Sequence, residues 1–393
     1  MATSFDCAVV GAGIIGSWAA YHLAKHGQST VLLDQFTLPH TRGSSHGQSR
    51  LYRTTDANPV IHHLAARSRQ HWDVLERQTG LQLLVKCGRL SITKKDSAIE
   101  QAWQRVSKAG GFPPLQRLSS EQLKRQYRLN YFQDTVALYE PDAAVFKAHL
   151  CLNTVQAEFV RIGGQLWDNC AVQGIVEGSE IMPYPLTLCT TKGRIRAKKI
   201  VICLGAWSKS YLERNLQLSL PLELASIAVC YWKERVGGIC SVAKGYPSVS
   251  HTAEEPVYLV PSFEYPGLVK IPYHGGPTAR HPNERDNVDQ AAHIRYLQNY
   301  IREHMSELVD SNHPVIVEHC MYTWTPDKLP IVDHHPANPN ILIATGCSGG
   351  GFKMSAEIGS VLTRMVLGKE QQDGLDMSAL SLKRFKKSTV SKV

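Results

Sequence analysis

The sequence predicts an α/β fold in which a Rossmann-like nucleotide-binding domain carries an inserted α+β domain built on a mixed or antiparallel sheet. Three observations predict it. A strand–glycine turn–helix–strand pattern fills the first 35 residues, further apolar strands ending in glycine lie at 199–205 and 340–346, and Gly and Pro punctuate a long stretch between them. With 393 residues, 43% of them hydrophobic, the chain is long enough for one large or two interleaved domains.

The opening pattern is a βαβ unit. Residues 7–10 predict a buried strand, 11–16 a turn, 17–26 a helix ended by Gly27, and 30–34 a second strand. Apolar periodicity and turn residues predict the remaining elements. Helices are expected over 60–79, 145–163, 286–308 and 355–367, sheet over 169–203, and longer antiparallel strands over 225–275.

Strand–glycine–helix patterns at both ends predict a discontinuous domain organisation. The nucleotide-binding domain is assigned to 1–90, 146–215 and 315–375, the substrate domain to 91–145 and 216–314, and a basic tail to 376–393.

Charge and cysteine content indicate the chain's surroundings. Of the formal net charge of +9, five positive residues fall within the last eleven, which leaves about +4 spread over the body. No apolar run reaches the length of a membrane span, and the apolar opening lacks the basic start of a secretory signal. Ten cysteines without a C-x-x-C pair predict a reducing compartment, and we expect no nucleic-acid or membrane partner and no metal site.

A dinucleotide signature lies in the first βαβ unit. Gly11 permits a tight turn, Gly13 lets the backbone approach a pyrophosphate, and Gly16 lets the helix pack on the strand. Asp34 stands 18 residues after Gly16, where it can bind a ribose hydroxyl. These residues predict an adenine dinucleotide and leave FAD and NAD as alternatives. The polar segment 40–53, rich in Gly, Ser, Arg and His, fits either a flavin-binding loop or a solvated surface loop.

Four blocks make the sequence resemble the monomeric sarcosine oxidase / peroxisomal sarcosine and L-pipecolate oxidase family, within the D-amino acid oxidase-like superfamily. They are Gly11–Gly16 with Asp34, GSSHGQSR at 43–50, CMYTWTPD at 320–327 and SGGGFK at 348–353. The resemblance covers nearly the whole chain. It departs from the family pattern at Asp56, Trp324 and Gly350, where relatives carry an aromatic residue, an asparagine and a histidine.

The resemblance implies a covalent FAD, joined through its 8α-methyl group to the sulfur of Cys320. The thiolate is the reactive form of such a cysteine, and nearby cations favour it. The motif and the resemblance together assign cofactor contacts to Gly11, Gly13, Ile14, Ile15, Gly16, Asp34, Ser44, Ser45, His46, Ser49, Arg50, Val172, Gly205, Cys320, Gly349, Gly351 and Lys353.

The resemblance also implies the catalytic groups. Arg50 and His46 match residues beside the flavin ring, where positive charge favours the reduced flavin anion, and Lys270 matches the lysine that activates O₂. Arg53 and Lys353 match the pair that binds the substrate's carboxylate. Tyr258, His274 and Tyr322 match the substrate pocket. From the residues alone, Lys270 could instead be a surface charge, Tyr258 a core aromatic residue and His274 a structural histidine.

The implied activity is oxidation of the secondary amine of a small amino acid by hydride transfer to FAD, with hydrolysis of the imine and reduction of O₂ to H₂O₂. L-Pipecolate and sarcosine are the leading substrates. A flavin-dependent dehydrogenase with another acceptor and a catalytically silent FAD-binding protein are the alternatives. A monomer is expected. The terminal Ser391-Lys392-Val393 is close to the peroxisomal S-K-L signal, so a peroxisomal location through the import receptor is expected, with the cytosol as the alternative.

Overall fold

The computed structural model describes residues 3–108, 115–179, 181–252, 256–263, 265–369 and 374–385. The strands are β1 (Thr3–Val10), β2 (Thr30–Leu33), β3 (Ser49–Tyr52), β4 (Leu84–Lys86), β5 (Arg89–Lys94), β6 (Gln116–Ser119), β7 (Thr135–Glu140), β8 (Ala144–Lys147), β9 (Gln165–Trp167), β10 (Val172–Glu177), β11 (Leu186–Thr190), β12 (Gly193–Ile202), β13 (Glu223–Lys233), β14 (Ser248–His251), β15 (Val257–Leu259), β16 (Leu268–Lys270), β17 (Ile316–Trp324), β18 (Ile331–His335) and β19 (Asn338–Thr345). The helices are α1 (Ile14–Lys25), α2 (Pro59–Thr79), α3 (Ala98–Lys108), α4 (Ser120–Tyr127), α5 (Ala148–Arg161), α6 (Ser208–Leu216), α7 (Ala291–His304) and α8 (Gly351–Val366).

The largest sheet has the strand order β10-β11-β12-β1-β2-β9, with β19 also pairing with β12 and β18 pairing with β19. Strands β19, β12, β1, β2 and β9 are parallel, so the carboxyl ends of neighbouring strands meet at one edge. In open α/β sheets this edge is where ligands bind. The first strand–turn–helix–strand unit, the strand before Gly205 and the strand before Gly346 are therefore confirmed.

Helix α1 packs against α5 and α8, and α2 packs against α8. A Cβ added to Gly359 would lie 2.7 Å from the backbone nitrogen of Ala19, so α1 and α8 are in close contact. This contact joins the first and last helices of the nucleotide-binding unit. The unit is thus assembled from segments that are more than 300 residues apart in the sequence.

Three smaller sheets complete the fold, with strand orders β15-β14-β5-β7-β6, β16-β13-β17 and β3-β8-β4. Their pairings are antiparallel except for β14 with β5, which confirms the mixed and antiparallel sheet character. Among the described residues, the prediction of longer antiparallel strands over 225–275 holds for β13 alone, since β14, β15 and β16 have only three or four residues each. The predicted domain bounds remain a prediction. No helix among the described residues combines the length and apolar character that crossing a membrane requires.

Four of the five predicted helices have bounds that differ from the prediction by more than one residue. The helix predicted over 17–26 is α1, which begins at Ile14, within the predicted turn. The helix predicted from residue 145 begins at Ala148, because the apolar residues before it form β8, which pairs with both β3 and β4. The helix predicted over 286–308 is α7, and a 3-10 turn, Pro282–Asn287, precedes it. The helix predicted from Ser355 begins at Gly351, because glycine is tolerated in a first helical turn that tertiary packing stabilises.

Candidate active site

The glycine turn after β1 has the geometry that its sequence predicts. Gly11 lies in the left-handed region at φ +103°, and a Cβ there would stand 2.4 Å from the carbonyl oxygen of Cys203. A Cβ on Gly16 would stand 1.9 Å from the carbonyl oxygen of Gly11. Only glycine fits at either position without moving backbone. The turn therefore holds the start of α1 directly against β1 and β12.

We expect Gly16→Ala to lower the free energy of unfolding by about 1–3 kcal/mol, because the added methyl group must push the turn away from α1. Urea denaturation measures the change. Gly237→Ala is the matched control, since a Cβ at Gly237 meets nothing within 4 Å. Equal stability losses in the two variants would show that the turn tolerates a side chain.

Asp34 at the end of β2 is buried and joins the turn to the loop that follows. Its Oδ2 accepts a hydrogen bond from the backbone N–H of Ala12 at 2.9 Å, and its Oδ1 accepts one from Phe36 at 3.0 Å. His40 Nε2 lies 3.5 Å from Oδ1. Since a carboxylate oxygen can accept more than one hydrogen bond, Asp34 can still bind a ribose hydroxyl.

A cavity of about 510 Å³ opens at the carboxyl edge of the parallel strands. This volume is within the range of small-molecule sites. The predicted residues in its wall are Gly11, Gly13, Ile14, Ile15, Asp34, Ser44, Ser45, His46, Arg50, Val172, Gly205, Cys320, Tyr322, Gly349 and Gly351. The structure thus brings most of the predicted cofactor contacts to one cavity. Gly16, Ser49, Arg53, Tyr258, Lys270, His274 and Lys353 are not among its wall residues.

Cys320 lies in the cavity wall on β17 and is 5% exposed. The Nη2 of Arg50 stands 4.0 Å from its sulfur and also donates to the carbonyl oxygens of Ser44 and His46. These hydrogen bonds fix the guanidinium beside the cysteine. The strand's period of two places Tyr322 on the same face as Cys320.

His46 is neutral at physiological pH. Burial, together with the charge of Arg50, lowers the pKa of His46 to about 4. Its Nδ1 hydrogen-bonds with the carbonyl oxygen of Gly43. Of these two predicted neighbours of the flavin ring, only Arg50 therefore brings a positive charge to the wall.

Lys270 is buried, with only 4% of its surface exposed, so it is not a surface charge. Its Nζ donates to the carbonyl oxygen and to the Oγ of Ser49, both at 3.1 Å, and stands 5.6 Å from the ring centroid of Tyr231. Ser49 directly precedes Arg50 on β3, so the Lys270 ammonium lies just behind the wall that carries Arg50 and Cys320.

Arg53 and Lys353 are brought together, and Asp56 joins them. Asp56 Oδ2 accepts hydrogen bonds from Arg53 Nη1 at 2.9 Å and from Lys353 Nζ at 3.3 Å. Burial opposes ionisation of Asp56, but the charges of Arg53 and Lys353 hold its pKa below the usual value. Burial and the charge of Arg53 lower the pKa of Lys353 to about 8.

A second acidic residue holds the loop that carries Asp56. Glu140 accepts hydrogen bonds from the backbone N–H and the hydroxyl of both Thr54 and Thr55. Its Oε2 lies 3.8 Å from Nη1 of Arg89, which is 2% exposed. Glu140 therefore anchors the loop after β3. The anchored backbone of this loop places Asp56 beside Arg53 and Lys353.

An aromatic cluster connects this charged group to the cavity. Tyr322 OH lies 3.3 Å from Nδ1 of His274, and Trp324 packs edge-on against both rings. The ring of Tyr258 meets that of His274 at 6.0 Å between centroids. Burial and the charges of Arg53 and Lys353 lower the pKa of His274 to about 4, so this ring is also neutral. A Cβ on Gly349 would lie 2.9 Å from the His274 ring and 3.0 Å from the Tyr322 ring, so only glycine fits beside these two rings.

The sequence analysis missed several groups in the cavity wall. Phe36 and Trp207 form an edge-to-face pair near Gly205, with ring centroids 5.4 Å apart. The hydroxyls of Tyr211 and Thr345 are buried and have no hydrogen-bond partner among the described residues. Thr345 is the last residue of β19. Its position at the carboxyl end of a predicted parallel strand was the signal that could have identified it.

These residues fit an adenine dinucleotide. The N-cap of α1 is Gly13, which has no side chain to cap the first turn. The N–H of Ile14 donates to the Oγ of Ser45 at 3.0 Å, and a pyrophosphate can accept from the other N–H groups of this turn. The orphaned hydroxyls of Tyr211 and Thr345 offer further hydrogen bonds to a bound ligand. The fold and this cavity define a dinucleotide-binding α/β protein.

The chain belongs to the FAD dependent oxidoreductase family, whose model matches residues 6–365. It is thus an FAD-dependent oxidoreductase, and the family resemblance, the fold class and the prediction of an enzyme are confirmed. The chain is 35% identical to the peroxisomal sarcosine oxidase of Mus musculus, with 99% of this chain and 97% of that protein covered. It is 30% identical to the monomeric sarcosine oxidase of Bacillus sp. (strain B-0618), with 95% of each covered.

Solved structures share the fold. The open form of NikD, an unusual amino acid oxidase essential for nikkomycin biosynthesis, matches with a TM-score of 0.81 and 18% identity, over 96% of this chain and 97% of that one. Glycine oxidase from Geobacillus kaustophilus matches with a TM-score of 0.76 and 21% identity, over 97% and 99%.

Proposed function

We propose that this chain oxidises the secondary amine of a small amino acid of the sarcosine or L-pipecolate type, with FAD tethered to Cys320 and O₂ as the electron acceptor. The observation that carries the proposal is the arrangement of two cationic centres beside one aromatic cluster. Arg50 lies next to Cys320 in the cavity wall that also carries Tyr322. His274 contacts Tyr322, and burial together with the charges of Arg53 and Lys353 lowers the pKa of His274. The relatives named sarcosine oxidases support the same substrate class.

Bound FAD would supply the two-electron redox chemistry, accepting a hydride equivalent from the amine carbon and returning electrons to O₂. The chain's own residues bind and orient the substrate. Arg53 offers a planar fork and Lys353 a point charge to the substrate's carboxylate. The neutral rings of His274 and Tyr322 line the space between the carboxylate and the cavity. Because the surrounding charges are positive, they lower the pKa of the substrate amine and favour its reactive, uncharged form.

Two measurements test the proposal. The purified protein should be yellow. It should bleach anaerobically with at least one of four kinds of amine: sarcosine, L-pipecolate, L-proline or an N-methyl amino acid other than sarcosine. Bleaching with none of them would favour a catalytically silent FAD-binding protein. Under air, about one H₂O₂ should form per amine oxidised, as two-electron stoichiometry requires. Peroxide yields near zero would favour a dehydrogenase with another acceptor.

We expect carboxylate binding to weaken as the pH rises through about 8, because Lys353, whose pKa lies there, then loses its charge. Cyclopentanecarboxylate is a suitable probe, since it has no amine to titrate. Its Kd, measured by calorimetry, should rise about tenfold per pH unit above the pKa. Lys353→Met should bind weakly with no such pH dependence. A wild-type Kd that stays constant from pH 7 to 10 would contradict a role of the Lys353 charge.

We further propose a monomeric protein that resides in the peroxisome, where its peroxide would be consumed. The relative from Mus musculus is named peroxisomal. The tripeptide Ser391-Lys392-Val393, on which the import prediction depends, lies outside the described residues, as does the rest of the basic tail after residue 385.

A further inference from the structure

The carboxylate of Asp56 sits on the two donors that are assigned to the substrate. Its Oδ2 accepts from Arg53 at 2.9 Å and from Lys353 at 3.3 Å, so one oxygen of the chain engages both cations. Asp56 Oδ1 accepts from the backbone N–H of Asn58, which holds the carboxylate in this orientation. Asp56 thus makes the contacts with Arg53 and Lys353 that are assigned to the carboxylate of the substrate.

The charges around this point leave room for one more anion. Arg53, Arg89 and Lys353 are positive, Asp56 and Glu140 are negative, and all five are buried or partly buried. These five groups have a net charge of +1, which the charge of −1 on a single substrate carboxylate would balance. The group as a whole therefore attracts that carboxylate, while Asp56 already accepts from Nη1 of Arg53 and Nζ of Lys353.

We propose that Asp56 is a specificity-determining residue that competes with the substrate's carboxylate for Arg53 and Lys353, so that this chain binds carboxylate amines more weakly than the two cations alone would. This inference rests on the proposed function, because it takes Arg53 and Lys353 as the carboxylate-binding pair. Its physical basis is direct. Two carboxylates within hydrogen-bond distance of the same two cations repel each other, so the incoming one either shares Arg53 and Lys353 with Asp56 at a cost in binding or displaces Asp56.

The alternative role for Asp56 is to position the two cations. The two roles predict opposite results when the charge is removed. If Asp56 competes, its loss frees the donors and carboxylates bind more tightly. If Asp56 positions Arg53 and Lys353, its loss lets the cations separate by mutual repulsion and carboxylates bind more weakly.

The test is carboxylate binding to the holoenzyme, measured by calorimetry at pH 6.5, below the pKa of about 8 that Lys353 has in the presence of Asp56. Burial and the charge of Arg53 lower this pKa, whereas Asp56 raises it, so each variant is also measured at pH 5.5. Asp56→Asn keeps the acceptor for the Asn58 N–H, and Asp56→Ala removes the side chain. With cyclopentanecarboxylate as the probe, both variants should show a Kd at least about tenfold lower than wild type. Cyclopentanecarboxamide, which has the same shape without the charge, should bind within about twofold of wild type.

Asp73→Asn is the matched control, since it removes a carboxylate from the partly exposed ion pair of Arg69 and Asp73 on α2, which includes neither Arg53 nor Lys353. Its Kd should equal that of wild type. A Kd for Asp56→Asn that is unchanged, raised or too weak to measure would overturn the proposal, and a near-native melting temperature would show that the variant is folded.

A kinetic measurement adds a second readout. In anaerobic reduction by sarcosine, Asp56→Asn should lower the concentration that gives half-maximal rate and leave the limiting rate within about twofold, because competition affects binding alone. Since the calorimetric measurement needs no turnover, failure of every amine to bleach the flavin would reject the proposed function without deciding the role of Asp56.

Discussion

In the Cys320→Ser variant, the yellow colour should move almost completely to the supernatant on acid precipitation, whereas wild-type protein should keep it in the pellet. A serine hydroxyl cannot replace the thiolate as the nucleophile that forms the thioether. Cys320 is suited to the attachment because it lies in the cavity wall with the Arg50 guanidinium 4.0 Å from its sulfur. Absorbance at the flavin maximum in pellet and supernatant measures the difference.

Cys347→Ser is the matched control for this prediction. Cys347 lines the same cavity, but burial raises the pKa of its thiol to about 12, so it stays protonated. The Cys347→Ser variant should keep its colour in the pellet. Release of the colour from both variants and from wild type alike would show that the cofactor is not covalently bound. Retention of the colour by Cys320→Ser as well as by wild type would place the tether at another residue.

Lys270→Met should slow the reaction of the reduced enzyme with O₂ by about 10²–10³-fold and slow anaerobic reduction by amine only a few-fold. Negative charge develops on O₂ as it accepts an electron, and a buried ammonium held in place beforehand stabilises that charge. The two hydrogen bonds from Lys270 to Ser49 hold the ammonium behind the wall that carries Arg50. Stopped-flow measurement of each half-reaction separates the two effects.

Lys233→Met is the matched control, because Lys233 lies on the adjacent strand β13 but is exposed to solvent. Both of its half-reactions should stay near wild-type rates. Equal slowing of reduction and reoxidation in Lys270→Met would count against an oxygen role and would indicate a general disturbance of the site. A melting temperature for each variant identifies any loss of folding.

The sequence predicted the elements whose geometry is local. The glycines at 11 and 16 permit a turn that admits no Cβ, and the structure confirms this turn and the strands on either side of α1. The predictions for Arg53, Lys270 and Lys353 came from the family resemblance, since neither periodicity nor spacing singles out these residues. The strand β8 was missed because its short apolar run reads equally well as the start of a helix.

The sequence by itself determined the nucleotide-binding unit and the family, because a turn's allowed backbone angles and a strand's apolar run are properties of neighbouring residues. Only the tertiary structure decided which charges meet. It buried Lys270 against Ser49, left His46 and His274 neutral, and set Asp56 between Arg53 and a lysine 297 positions away from it. Burial and charge pairing depend on elements that fold together from distant parts of the chain, and no local pattern specifies them.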